Sequence, residues 1–451
     1  MIYCHSKPTT LQNSSSSVQQ AIKAAMNSTA IIIFTVLIGV IVVVVVAFDL
    51  LSFKKSEEVH PEDDDSEEKN EATSKQQKRR KPKGPKSRNQ TSISKKTLVQ
   101  KGSKDTKKKQ KCTSPLLFCE MKGHKSQVTS VAFSPDGRFV ATASEDQAIL
   151  ITFRETLGQH GVQPRQWRLN VEFDYASSLR FADNNKRLIA GTASHRNVLF
   201  YGIPTDAQVN KGAKPELLKQ FETTHTDAIS YILLLDVEKW MVIVTCAGDD
   251  DTTIRFWNPK GEELDSANTN QIKNNMIAGS PDGRFVGAAC YTPDVKLFEV
   301  ERLASGEFKK VTKAMALQHG HTKAVTGVAF NPSSSRVATC SVDGTWAVWD
   351  ITVRYNVAED PRLLLKSSPT LNCPFAAVAF CSFAGSSHVM LSSANTLLIY
   401  PERSEETADT ICNSHNSSAE EVTHLVSSLD GSFVISICEQ DKHARIWGPL
   451  N

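Results

Sequence analysis

Gly320-His321, then Ala324-Val-Thr-Gly-Val-Ala-Phe330, Asn331-Pro332, Arg336-Val-Ala-Thr339, Ser341-Val-Asp343-Gly344-Thr345 and Trp346-Ala-Val-Trp349-Asp350 form the best-patterned stretch of this 451-residue chain. Alternation over Val325–Phe330 predicts a half-buried strand. Asn331-Pro332 breaks it into a turn, because proline cannot continue a ladder of backbone hydrogen bonds. A second strand carries Thr339, Ser-x-Asp-Gly makes a tight hairpin, and a third strand ends on Trp349.

The rhythm recurs from residue 123 onward at intervals of roughly 40–55 residues, the signature of a stacked repeat. Gly123-His124, Thr142 and Asp146 match it, with Thr152-Phe153 in place of Trp349-Asp350. His225, Thr245 and Trp257-Asn258 match as well, and Asp249-Asp-Asp251 lengthens that hairpin by two residues. In the last copy His415, Asp441 and Trp447 match, while Ile437 stands where a hydroxyl is expected. Leu179–Tyr201, Met276–Phe298 around Ser280-Pro-Asp-Gly283, and Ala377–Tyr400 keep only the strand-turn-strand rhythm, so apolar packing should hold them. Third strands should end near Thr152, Tyr201, Trp257, Phe298, Trp349, Tyr400 and Trp447, which gives seven units. Leu116-Leu-Phe-Cys-Glu-Met121 is an orphan outer strand at the other end of the array, and the last unit lacks one. A ring of four-stranded blades closes in this way, with one blade built from both ends so that no edge is left bare.

These features resemble the WD-repeat family, and the expectation is an all-β, seven-bladed WD-repeat β-propeller over residues 112–451, closed by strand 116–121. The resemblance implies a hydrogen-bonded tetrad of His, Ser/Thr, Asp and Trp within a blade. Its positions here are His321, Thr339, Asp343 and Trp349, with partial sets at His124, Thr142, Asp146, at His225, Thr245, Trp257 and at His415, Asp441, Trp447. Such residues look catalytic but serve the fold, since a buried network stabilises when every member is satisfied.

Upstream the composition changes. Ala30 to Phe48 is an unbroken uncharged run, about 28 Å long as a helix, close to one hydrocarbon thickness. A transmembrane helix over 30–48 follows, with a short leader over 1–29. A cleaved signal peptide fits less well, because the leader is long and no Ala-x-Ala site follows. The short span favours a thin bilayer such as that of the endoplasmic reticulum. Lys54 and Lys55 against Lys23 put the C-terminal body in the cytosol, leaving Asn13 and Asn27 as lumenal glycosylation acceptors.

Residues 49–111 read as a disordered linker, acidic then basic, since its composition buries too little to offset ordering entropy. Residues 1–74 carry five Lys/Arg and ten Asp/Glu, residues 75–111 carry sixteen Lys/Arg and one Asp, and the remainder carries 31 basic and 38 acidic side chains. The overall charge of +3 therefore hides a concentrated basic strip. Lys78, Arg79, Arg80, Lys81, Lys83, Lys107, Lys108 and Lys109 could simply solvate a tether, hold anionic lipid, or bind RNA phosphates without sequence choice. No aromatic residues interleave them for base stacking.

The ten cysteines are scattered without a Cys-x-x-Cys pair or a metal-spaced His cluster, so reduced core thiols are expected, with no cofactor or metal. Phosphate loops, nucleophile elbows and paired carboxylates are missing too, and the acids at 249–251 read as a solvated turn. No enzyme is expected. Asn268-Thr-Asn-Gln271, Ser280–Val286, Tyr291–Val300, Gly306-Glu-Phe308 and Asp343-Gly-Thr-Trp346 resemble one membrane-anchored branch of the WD-repeat family. That resemblance implies an endoplasmic reticulum scaffold with a cytosolic, monomeric propeller. Protein partners would dock on its loops, among them a stress-sensing kinase of that membrane and the translation machinery. The alternative is an RNA or ribosome tether acting through residues 75–111.

Overall fold

A computed structural model describes residues 114–448, apart from positions 160, 238–239, 249, 358, 370–373, 384, 408, 412–413, 416–420 and 439. Contacts divide the chain into residues 1–101 and 102–451, and every described residue belongs to the second unit. The leader 1–29, the span 30–48, the linker 49–111 with its basic residues, and Asp249 lie outside the described residues. Among those described, no helix is long and apolar enough to cross a membrane.

Seven four-stranded antiparallel sheets form the blades. Within each, strands a to d run from the inner edge outward in chain order, except in the blade that closes the ring. There the outer strand is Leu117–Met121, paired with Ala444–Trp447 in the register Leu117↔Trp447, Glu120↔Arg445 and Met121↔Ala444. The expected closure is therefore observed. The inner a strands are Val128–Phe133, Ala176–Ala182, Ile229–Val237, Asn274–Gly279, Val325–Phe330, Ala377–Phe383 and Val422–Ser427 in blades 1 to 7. All seven expected third-strand ends fall within the c strands.

The b strands are the most buried, Phe139–Ser144 and Phe285–Cys290 along their whole length, because each is sandwiched between two neighbouring blades. Outer strands show the half-buried alternation instead, as in Gln166–Asn170. Seven apolar clusters fill the seven interfaces between blades, the one across the seam joining Val140 to Ile435, Ile446 and Phe433. Three a–b turns share one construction. Ser134, Ser280 and Ser428 each take the N–H of a phenylalanine five residues on, while Gly137, Gly283 and Gly431 adopt φ near +70°.

A feature invisible in the pattern stitches blade to blade. Six of the seven a strands carry a one-residue bulge near their start, and the bulged residues are Thr129, Ser177, Ser230, Asn275, Thr326 and Thr423. A bulge re-aims the side chain that it frees. Thr129 donates to the Ala176 carbonyl at 2.6 Å, Ser177 to that of Ile229, Asn275 to that of Val325 at 2.7 Å, and Thr326 to that of Phe375 at 2.7 Å. Each bond leads to the following blade. In blade 6 the unbulged strand is served by Ser392, which donates to the Val422 carbonyl at 2.8 Å.

Candidate functional site

Three blades hold the full tetrad, and blade 1 holds three of its four members. In blade 3 the His225 Nδ1 meets the Asp251 carboxylate at 2.7 Å and Nε2 meets Thr245 Oγ1 at 2.7 Å, while the Trp257 indole donates to Thr245 at 2.8 Å. The proton order follows from the partners. A carboxylate only accepts, so Nδ1 carries the imidazole proton, Nε2 accepts from the threonine, and the threonine oxygen takes the indole N–H. Burial pushes the pKa of His225 down, which keeps it neutral as this order requires. Asp251 is buried, so the expectation of a solvated acidic turn fails for that residue. The two-residue extension places this third acid where the tetrad needs it.

In blade 5 the chain is longer than expected. His321 Nε2 meets Thr339 at 2.7 Å and Trp349 donates to Thr339 at 3.1 Å, but Nδ1 reaches Thr345 Oγ1 at 2.9 Å. Thr345 in turn donates to Asp343 at 2.5 Å, and the carboxylate lies 3.8 Å from the imidazole. Burial lowers His321 to about 4. Burial also pushes Asp343 up, yet bonds from Thr345 and the Thr322 N–H outweigh it and hold the acid at about 2.

The last blade corrects the sequence reading. Ser436, not Ile437, is the bridging hydroxyl: it meets His415 Nε2 at 2.8 Å and accepts the Trp447 indole at 2.8 Å, while His415 Nδ1 meets Asp441 at 2.9 Å. The hydroxyl sits two residues beyond the b-strand partner of the tryptophan, as Val434↔Trp447 and Val337↔Trp349 both show. In blade 1, His124 meets Asp146 at 3.2 Å and Thr142 at 2.8 Å, and buried Thr152 takes the tryptophan position.

The three remaining blades were expected to rely on apolar packing, and they have polar ties of their own. Asp174 accepts the backbone N–H groups of Tyr175, Ser194 and His195, and its carboxylate stands 3.1 Å from His195 Nδ1, reversing which side of the pair supplies the acid. Thr269 donates to Asn274, whose amide donates to the Thr252 carbonyl. Ser414 and the His415 N–H both donate to Asn395 Oδ1, tying blade 6 to the loop that enters blade 7. Alternation and Trp-Asp spacing carry no trace of these substitutes.

Cys246, Cys340 and Cys381 are free and buried, and burial raises each thiol to about 12, so none is poised as a nucleophile. The open chemistry of the molecule lies in the channel between the a strands. One mouth is polar, lined by Gln127, Thr129, Ser177, Ser230, Asn275 and Thr423. The opposite mouth is apolar, a cavity of about 330 Å³ lined by Leu234, Met276, Val328, Phe330, Phe380 and Leu425 among others. Arg180, Tyr231 and His424 stand between, with the Tyr231 and His424 rings 6.0 Å apart. Sequence reading singled out none of these three. Register alone would have found them, once the a strands were aligned on their bulges.

A family model described as "WD domain, G-beta repeat" matches residues 116–151 and 312–350. Transducin beta-like protein 2 of Mus musculus is 34% identical over 270 residues, 58% of this chain and 59% of its own length. Transducin beta-like protein 2 of Homo sapiens is 31% identical over 327 residues, 72% of this chain and 70% of its own length. A guanine nucleotide-binding protein subunit beta of Zea mays is 24% identical over 345 residues. The closed ring of seven blades and the His–hydroxyl–Trp bonds of three of them agree with these likenesses, and the chain belongs to the WD-repeat family, alongside transducin beta-like protein 2.

Proposed function

We propose that the chain is a membrane-tethered, non-catalytic scaffold that docks protein partners on the loops of its propeller. The observation that carries this is the set of exposed apolar side chains on the loops, which stands beside a smaller set on outer strands that includes Leu218 and Leu364. Phe173, Ile272, Tyr291 and Val342 lie on d–a and b–c connections at one end, and Val162, Leu303, Val357 and Leu429 on a–b and c–d connections at the other. Phe173 is 86% exposed at φ +58°, a backbone state that costs a phenylalanine energy and suits a contact better than a core. Loops held on a rigid ring are where such contacts form.

The finer reading comes from the sequence. The run over 30–48 anchors the chain in the endoplasmic reticulum membrane, with the propeller in the cytosol. The branch of the family that it resembles links it to a stress-sensing kinase and to translation. Removing residues 112–451 from the full chain should leave it in the membrane pellet and strip the protein partners captured with it. An unchanged partner set would sink the scaffold reading. An endoglycosidase-sensitive mass shift that disappears on Asn13→Gln checks the orientation.

One observation favours a second reading, an RNA or ribosome tether: sixteen Lys/Arg stand against one Asp within residues 75–111. Ultraviolet crosslinking of RNA to the full chain should then collapse when those sixteen are neutralised, and salt should weaken it steeply.

A further inference from the structure

The seven a strands place one residue each at the same height in the channel, the position that pairs one step before the tetrad-hydroxyl position on strand b. These residues are Ala132, Arg180, Leu233, Ala278, Ala329, Ala379 and Val426. Six are small or branched apolar side chains, and the seventh is an arginine. Arg180 lines both the apolar mouth of about 330 Å³ and the adjoining cavity of about 600 Å³. Its guanidinium donates to the Leu179 carbonyl at 2.8 Å. Among the described residues no carboxylate forms an ion pair with it; Asp183 and Asp236 stand on the rim of the larger cavity and leave it uncompensated. The neighbouring Tyr231 hydroxyl donates to the Asn275 carbonyl at 3.0 Å, and His424 is held neutral by burial and by Arg180 itself.

Arg180 is half-buried in the channel with no carboxylate bonded to it, and nothing in the packing of blade 2 requires a charge there, because Ala, Leu or Val fills the same place in every other blade. Arginine is the side chain best suited to hold a carboxylate with two parallel bonds in such a setting. The surroundings are Phe181, Leu234, Val426 and the exposed Leu429, which fit apolar side chains on either side of an acid. We propose that this mouth binds a protein segment carrying an Asp or Glu flanked by large apolar residues, with Arg180 as the counter-charge for its carboxylate. The proposal rests on the scaffold reading and names one of its docking sites.

The test pans a phage-displayed random peptide library on the detergent-solubilised full-length protein and measures synthetic copies of the enriched peptides by fluorescence anisotropy. Enrichment of one acid beside Leu, Phe or Met is expected. Arg180→Met should weaken binding at least tenfold, as should the amide version of the peptide acid, and the two losses should not add. Arg180→Lys should retain part of the affinity, and Ala329→Leu should block the mouth with the charge intact. The thermal midpoint of Arg180→Met should stay close to that of the unaltered protein, since no ion pair is lost. Peptides without an acid, or peptides that bind Arg180→Met equally, overturn this site and leave the scaffold reading standing. Saturation of Arg180 by inorganic phosphate or an RNA oligonucleotide, with no peptide selected, overturns it in favour of a small-anion or nucleic-acid site.

Discussion

At the scale of single residues, each tetrad stands on one hydroxyl with two clients. Ser436→Ala would leave the His415 imidazole and the Trp447 indole without their shared partner, at about 1–3 kcal/mol for each orphaned group. Ile437→Val, one residue away and also buried, should cost only about 1 kcal/mol. Urea denaturation of the two variants checks the correction directly, and equal losses would refute it. The histidines add a pH dependence. His321 titrates near 4 in the fold against about 6.5 in the unfolded chain, and His424 is lowered in the same way. Below pH 6.5 the unfolded chain therefore binds more protons. The stabilisation is complete above about pH 6.5 and is lost as the pH falls toward 4, by up to about 3 kcal/mol for His321. The urea midpoint should drop through that window, and His321→Gln should start lower but fall less steeply.

At the scale of elements, two devices hold the ring: strand bulges and the closing strand. Thr326→Val keeps shape but removes the hydroxyl that reaches from blade 5 to the Phe375 carbonyl, and about 1 kcal/mol should be lost. Deleting residues 116–121 strips the partner from Ala444–Trp447 and bares a strand edge. That variant should elute as oligomers and unfold over a broader range, whereas a sharp monomeric transition would contradict the role of the seam. The closing strand was legible because an orphan outer strand at one end answered a missing one at the other. Thr142 and Thr339 were legible because each stands four residues before its hairpin acid, Asp146 or Asp343, and Thr245 because it lies on an apolar run just ahead of the acids at 249–251. Ser436 was not: a fixed step of four residues back from Asp441 lands on Ile437, and this hairpin is one residue longer. The bulges were hidden because a bulge shifts alternation by one residue, and a Thr or Asn there reads as an ordinary exposed position. Arg180 was hidden for a different reason, since only register across seven sheets shows that its equivalents are apolar.

At the scale of the whole molecule, seven apolar interfaces and a ring of side-chain bonds make each blade depend on two neighbours. Blade 2 departs from the repeat twice, with the reversed Asp174–His195 pair and with Arg180 in the channel. Repeats usually depart from their pattern where they do something besides holding the ring. The seam has a consequence in time as well as in space. Glu120 and Arg445, which meet across it, are 325 residues apart. At a synthesis rate of ~5–20 residues per second, the first strand leaves the ribosome about 16–65 s before its partner exists. Throughout that interval every finished blade stands in an open arc with two uncovered faces. Nascent chains stalled before Ala444 should therefore be cut readily by protease between blades, and those released at full length should resist.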